Sequence, residues 1–395
     1  MKNTISRRGF LATAAATVAS ASVARRASAN ETIQVGCIGL GTRGTQLVDA
    51  LSQRGGVRVV AACDIFEPRK ARMRDVRVLH DWNEIIARSD VDAVVIATPD
   101  HWHMPMAVAA MEAGKDVYCE RPMALDAAQA KVFRDVARRT GRVVQIGVQE
   151  TSEGQWHTAR EDVLEPGRLG PVRWSQGSYS PVAAPAAPRR EEAAPRNLDW
   201  QAFLGPAAGR GFEAERYFEW RKFWDYSGGI ATDLHYHKLT PLLLALGAEY
   251  PERVSAAGGV YVRDGREVPD AFVMTAEYAG GHTIVLASSI ATRQELPAVI
   301  RGRDASLYAE GSRLRIVPEE GDGAEAVLPV KPMPDHLDDW LTCIRTRNKP
   351  VCNEELGYRA MVAVSMGVQA YREGKTLRWD LAQHTALPDS PRVLA

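Results

Sequence analysis

Cysteine is scarce in this chain of 395 residues. The five present lie at 37, 63, 119, 343 and 352, too few and too scattered for a disulfide scaffold or a cysteine-rich zinc site. Charge of one sign is also lacking. Forty-nine Lys+Arg stand against forty-nine Asp+Glu, which argues against a nucleic-acid binder that relies on bulk positive charge. Long apolar runs are missing, which excludes a polytopic membrane protein. Nor is there a hydrophobic deficit: 45% of residues are hydrophobic and 25% charged, ordinary for a globular protein and wrong for a disordered or collagen-like one. No internal repeat is visible. At roughly 100–200 residues per domain, the length implies two domains.

The first thirty residues read as an address rather than as fold. Ser6-Arg7-Arg8-Gly9-Phe10-Leu11 precedes a weakly apolar run from Ala12 to Val23, and Ala27-Ser28-Ala29 follows as a small-x-small cleavage site. An arginine pair, a soft apolar stretch and such an end describe a twin-arginine export signal over 1–29. The mature protein is then expected outside the cytoplasm, in the periplasm. The segment carries five basic residues and no acid, so its removal leaves 44 basic against 49 acidic residues.

From Ile33 onward, strands and helices alternate. Ile33–Leu40, Val57–Cys63, Val91–Thr98, Asp116–Cys119 and Val143–Val148 are β-branched, apolar runs that read as buried strands. Helical spacing covers Gly41–Ser52, about Pro105 to Ala113, and Ala127–Thr140. This rhythm predicts a doubly wound parallel sheet, a Rossmann domain over 31–150. After 150 the grammar changes. Val172–Tyr179, Val254–Val262, Ala271–Tyr278, His282–Ile290 and Val299–Arg303 read as strands, two of them joined as a hairpin by Ala279-Gly280-Gly281. A large, open, mostly antiparallel sheet in a second α/β domain over 151–395 is expected. Pro181–Pro195 reads as a surface loop, and helices at Leu337–Arg345 and Glu355–Arg372 close the chain.

Gly39-Leu40-Gly41-Thr42-Arg43-Gly44 is G-x-G-x-x-G placed after a strand and at the start of a helix, which is the context its mechanism needs. The first glycine makes the turn and the second lets backbone approach a pyrophosphate. The third lets helix and strand pack closely, with the helix N-terminus facing the anion. A plain tight turn is the alternative. Asp64 ends the next strand, where a carboxylate accepts hydrogen bonds from a ribose diol and repels a 2′-phosphate. NAD is therefore expected over NADP.

Further stretches carry a family resemblance: Ala97-Thr98-Pro99-Asp100-His101-Trp102-His103, Cys119-Glu120-Arg121-Pro122, Trp220-Arg221, and Gly228-Gly229-Ile230-Ala231-Thr232-Asp233-Leu234-His235-Tyr236-His237. In this order and spacing the chain resembles the Gfo/Idh/MocA oxidoreductases, its export signal pointing to an exported subgroup. The resemblance implies oxidation or reduction of sugars, inositols or related polyols. A branch of the family cleaves glycosides through a transient keto sugar. It implies that Gly39, Gly41, Thr42, Arg43, Gly44 and Asp64 hold the dinucleotide. Thr98, Pro99 and His103 would line the nicotinamide side, with Glu120 at the ribose there, and Trp220 and Arg221 reaching in from the second domain. It also implies a homo-oligomer, dimer or tetramer, built on the open sheet. Val273, Ile284, Leu286 and Val299 are read as its outward apolar face.

Arg121, Asp233 and His237 are the expected catalytic residues. Asp233 and His237 stand at i and i+4, on one helix face. A carboxylate beside an imidazole orients it and raises its basicity, which suits removal of a hydroxyl proton. Arg121 departs from the family's usual Lys. A guanidinium stays charged and clamps an oxygen rather than transferring a proton. Redox glycosidase and silent sugar binder therefore stay open beside dehydrogenase. A metal site from His101, His103, Asp233, His235 and His237 is a rival, but their spacing points them apart and no metal is expected. Free NAD is not expected outside the cytoplasm, so an exported enzyme should retain its cofactor and reset it in place.

Overall fold

A computed structural model describes residues 32–389, apart from 72, 74, 75, 181–195, 248, 249, 263, 293, 294, 321 and 322. The expected export signal and the Pro181–Pro195 loop lie outside the described residues. The first domain is built on β1 (Ile33–Ile38), β2 (Val57–Cys63), β3 (Arg77–Leu79), β4 (Ala93–Ile96), β5 (Asp116–Glu120) and β6 (Val144–Gly147). They form one sheet of order β3-β2-β1-β4-β5-β6, and every neighbour pair is parallel. The order reverses between β1 and β4, which opens a crevice at the carboxyl ends of those strands.

The helices cover both faces. On α1 (Thr42–Ser52) the buried residues Gly44, Leu47, Val48 and Leu51 share one stripe. The helix α2 (Trp82–Ala87) buries Ile85 and Ile86. On the same face lie α3 (Asp100–Glu112) and α4 (Ala127–Thr140), the latter capped by Asp126, whose Oδ1 accepts from Gln129 N at 2.8 Å. α3 begins at Asp100, five residues before the proline expected to open it. Pro99, extended at ψ 155°, is the cap, and Pro105 is accommodated inside the helix. His101 and His103 are therefore helical.

The second sheet has ten strands, five more than the sequence reading supplied. The strands read correctly are β7 (Val172–Gly177), β8 (Pro251–Gly259), β9 (Ala271–Tyr278), β10 (His282–Ser289) and β11 (Val299–Gly302). The additional ones are β12 (Ala305–Ala309), β13 (Arg313–Pro318), β14 (Ala326–Pro329), β15 (Leu377–Asp380) and β16 (Thr385–Pro388). The order is β14-β13-β12-β11-β7-β10-β9-β8-β15-β16. β10 pairs parallel to β7, so the sheet is mixed, and its other pairs are antiparallel.

One face of this sheet packs on helices. Ile284 and Leu286 (1% exposed each) point into that core, so they do not belong to the outward face. Val299 pairs with Gln176 on the outward side yet is itself fully buried. Of the four residues expected there, Val273 is the exposed one, at 43%. Two late helices tie the domains together. α6 (His336–Thr346) inserts Trp340, Leu341 and Ile344 into the core of the first sheet beside α1. α7 (Glu354–Glu373) packs against both α4 and β8, burying Leu356, Met361 and Val364.

Candidate active site

The crevice is a cavity of about 1400 Å³ between the domains. At one end is the glycine loop. Gly39 takes φ +91°, and a Cβ there would meet Ala97 O at 2.6 Å; a Cβ on Gly44 would meet Gly39 O at 1.8 Å. These two glycines serve the turn and the helix–strand contact. Gly41 differs: a Cβ there would find only the Arg69 guanidinium, at 3.8 Å, so its backbone faces open cavity. Asp64 is 5% exposed, and its carboxylate accepts Leu40 N at 2.7 Å and Phe66 N at 2.9 Å. It braces the loop while each oxygen keeps a lone pair for a ribose hydroxyl.

Arg121, Asp233 and His237 meet in the wall of the same cavity. Asp233 sits in a π-helical turn, Ala231–His235, that runs into α5 (Tyr236–Leu246). Its carboxylate is gripped by Arg121 Nη1 at 2.5 Å and Arg221 Nε at 3.3 Å. Burial alone would raise Asp233, but the two guanidiniums outweigh it and hold it at about 2. Arg121 Nε donates to His237 Nε2. Burial, reinforced by Arg121, pushes His237 down to about 3.

This corrects the expected pairing. Asp233 pulls His237 upward, but burial and the Arg121 guanidinium bonded to both of them outweigh that pull. The imidazole is neutral, its Nε2 lone pair is occupied, and its proton sits on Nδ1. That nitrogen and Thr98 Oγ1 are buried and lack a hydrogen-bond partner among the described residues, although both residues line the cavity.

The other expected residues divide. Thr42, Arg43, Pro99, Glu120 and Trp220 line the cavity as well. Arg43 and Glu120 are paired to one another at 2.7 Å, and Arg221 lies over the Trp220 ring at 4.1 Å. His103 does not line it. It is 1% exposed and bridges Pro122 O (2.6 Å) and Thr98 O (2.8 Å), so it fixes two wall segments from behind.

The five candidate metal ligands do not converge. His101 bonds Phe203 O at 2.8 Å, His235 is buried against Phe272, and among the described residues no group of three or more potential ligands could hold a metal. The aromatic stretch 217–226 is mixed. Phe218 and Trp220 reach the cavity, whereas Phe223 and Tyr226 are core.

Among the cavity residues given no role from sequence, two carry charge beside the expected site. Arg69 lies 3.7 Å from Asp64 and over the Tyr217 ring at 5.1 Å. Asp100 is 2% exposed at the start of α3. Asp100 stands inside the Ala97–His103 stretch without a role there, and no motif points to Arg69.

An open glycine cradle, a bracing carboxylate and an orphaned Thr98 hydroxyl in one long cavity fit a dinucleotide. The cavity also exceeds the ~300–1,000 Å³ typical of a small-ligand pocket. When bound, a nicotinamide dinucleotide accepts or returns a hydride.

Comparison with known proteins agrees with this geometry. Residues 33–148 match a family model described as an oxidoreductase family, NAD-binding Rossmann fold, and 186–391 match its C-terminal alpha/beta domain. An inositol 2-dehydrogenase of Salmonella typhimurium is 30% identical over 146 residues, 35% of this chain and 43% of that protein. A glycosyl hydrolase family 109 protein of Shewanella baltica is 33% identical over 123 residues, 28% of this chain and 27% of that one. The chain thus spans less than half the length of these curated relatives. The WlbA dehydrogenase from Bordetella pertussis, solved with NADH and UDP-GlcNAcA, has the same fold, with TM-score 0.69 and 19% identity over 89% of this chain and all of that one. With both of its domains matched, the chain belongs to the Gfo/Idh/MocA family of oxidoreductases, and residues 33–148 form an NAD-binding Rossmann domain.

Proposed function

We propose that the protein is an NAD-dependent oxidoreductase of a sugar or polyol, exported and retaining its cofactor. The observation that carries the reading is the Arg121–Asp233–Arg221–His237 cluster, which lines the same cavity as the glycine loop. A hydroxyl-bearing substrate there meets these fixed polar groups beside apolar wall residues such as Ile230, Leu234 and Val268. Asp233, ionised at any ordinary pH, accepts hydrogen bonds from substrate hydroxyls. Arg121 and the Nδ1–H of His237 donate to the oxygen of the reacting carbon and stabilise charge that builds on it. Arg121 holds that oxygen without surrendering a proton.

Asp64 supports NAD. Arg69 beside it is the feature that would receive a 2′-phosphate, so NADP is the comparison to run. Redox-assisted glycoside cleavage is a second reading. It is favoured by Arg121, which suits holding a keto intermediate in place, and the family 109 relative fits it.

The test uses protein purified from the periplasm with no nucleotide added. Denaturation should release stoichiometric NAD(H). Pyranosides and free sugars are then screened for a change in nicotinamide absorbance, for keto products and for released aglycone. A sugar that changes the absorbance and yields keto product supports the oxidoreductase. Aglycone with no net absorbance change supports the glycosidase. Sugar binding with neither signal rejects both in favour of a binding protein.

A further inference from the structure

One carboxylate in the cavity wall has no part in the chemistry above. Asp100 follows directly on Thr98 and Pro99, lines the cavity and is 2% exposed. Among the described residues no ion pair neutralises it. Its Oδ2 accepts from the Thr232 hydroxyl at 3.4 Å, and the Ser227 hydroxyl also hydrogen-bonds to it.

Four groups with charge or a titratable proton face it: Arg121 and the Cys119 thiol from the end of β5, Arg221 from the segment before Gly228, and Asp233 from the π turn. Both guanidiniums are already bound to Asp233. With Asp100 ionised, the four charged side chains sum to zero. With Asp100 protonated, they carry one positive charge.

We propose that Asp100 is the proton store of this site, binding a proton when a nicotinamide beside Thr98 and Pro99 is in its reduced form and releasing it when the ring is oxidised. The proposal rests on the dinucleotide reading of the cavity. Oxidising a secondary alcohol breaks its C–H bond, whose electron pair leaves with the hydrogen as hydride for the ring. It also breaks the O–H bond, and that proton comes to rest on Asp100 as the carbonyl forms.

Asp100 would be held ionised by the positive charge that an oxidised nicotinamide supplies when bound, and would lose that attraction on reduction. The neighbouring groups cannot take this proton. Asp233 is held at about 2, His237 at about 3, and Arg121 is already protonated. Burial, with Asp233 adding to it and Arg221 and Arg121 opposing, lifts Asp100 to about 7, where one charge nearby decides its state. A stored proton is also what a cofactor reset in place needs, because the return reduction consumes it.

Linkage gives the test. Protein stripped of nucleotide on charcoal is titrated with NAD and with NADH from about pH 5.5 to 8.5. NADH binding takes up a proton at Asp100, so rising pH weakens NADH relative to NAD. The ratio Kd(NAD)/Kd(NADH) should fall about tenfold for each unit by which the two forms separate the Asp100 pKa. Asp100→Asn should flatten the ratio, and Asp100→Glu should restore its slope.

A flat ratio in the native protein, or an unchanged slope in Asp100→Asn, overturns the proposal alone. Failure of both nucleotides to bind overturns the cofactor reading and the proposal with it. Should Asp100→Asn not fold, the infrared difference spectrum of native holoprotein on reduction of its bound nucleotide decides. A new protonated-carboxyl stretch supports the store and its absence rejects it.

Discussion

Arg121 touches both of its catalytic neighbours at once, and that double contact is what Lys at this position cannot reproduce. Arg121→Lys keeps a charge for Asp233 but loses the planar fork. Substrate affinity should fall about tenfold to a hundredfold, the worth of one charge-assisted bond of ~1.5–3 kcal/mol. With the Nε–H gone, His237 should move part of the way up from about 3, because burial remains. An acid limb in kcat/KM should then shift to higher pH, measured as a pH–rate profile. His237→Ala should leave folding and nucleotide content intact and remove ~10²–10³-fold of turnover, the worth of one donor to a developing oxyanion; near-native activity would exclude it from the reaction. Asp100 also makes a stability prediction. Its folded value is raised to about 7 from 3.8, so keeping it ionised in the fold costs nothing below about pH 4, and the cost grows until about pH 7. Asp100→Asn should therefore raise Tm by an amount that increases over that window and then levels off. On the order of a few kcal/mol is at stake, and melts at four pH values would read it.

Among the elements, the βα turn separates two uses of glycine. Gly44→Ala places a Cβ 1.8 Å from the Gly39 carbonyl oxygen. α1 must shift off β1, with a loss of at least ~1–3 kcal/mol of stability as well as nucleotide binding. Gly41→Ala meets nothing but Arg69. It should keep its Tm and lose dinucleotide affinity, and the pair can be scored by thermal melt and nucleotide content together. Periodicity located the long elements well because their buried stripes are set by the chain itself. It failed at Pro105, where the rule that proline opens helices competed with the capping geometry of Pro99 and lost. It also failed for β3 and β12–β16. Three to six residues carry too little pattern, and such strands form because a sheet edge offers them hydrogen-bond partners.

At the level of the whole molecule, the outward face of the ten-stranded sheet carries exposed Val273 (43%), Trp174 (37%) and Val327 (55%), with Arg301 lying over the Trp174 ring at 4.8 Å. We expect a homodimer or tetramer through this face. Light scattering should give a multiple of the chain mass at micromolar concentration, and Val273→Asp should shift it toward monomer without lowering Tm at high dilution. A monomer in the native protein rejects the assembly. Export is tested by replacing Arg7 and Arg8 with Lys and following the protein between cytoplasm and periplasm. Periplasmic accumulation that survives the change rejects the twin-arginine route. Among the described residues no helix is long and apolar enough to cross a membrane.

The sequence by itself determined the order of the long elements, the glycine loop and its bracing carboxylate, and most of the expected side chains that line the cavity, though not His103. These depend on local backbone geometry and on spacing along one strand or helix, which a linear pattern records. Tertiary structure decided how those side chains are wired. Arg121 arrives from β5 and Asp233 from a π turn more than a hundred residues later, and their contact diverts the carboxylate away from His237. His103 turned from ligand wall to brace because its ring spans from the nearby Thr98 carbonyl to that of Pro122, beyond the next strand. Asp100 acquired its charge state from burial between the two domains. Electrostatics inside a protein depends on distance and dielectric in three dimensions, and neither is written in the order of the residues.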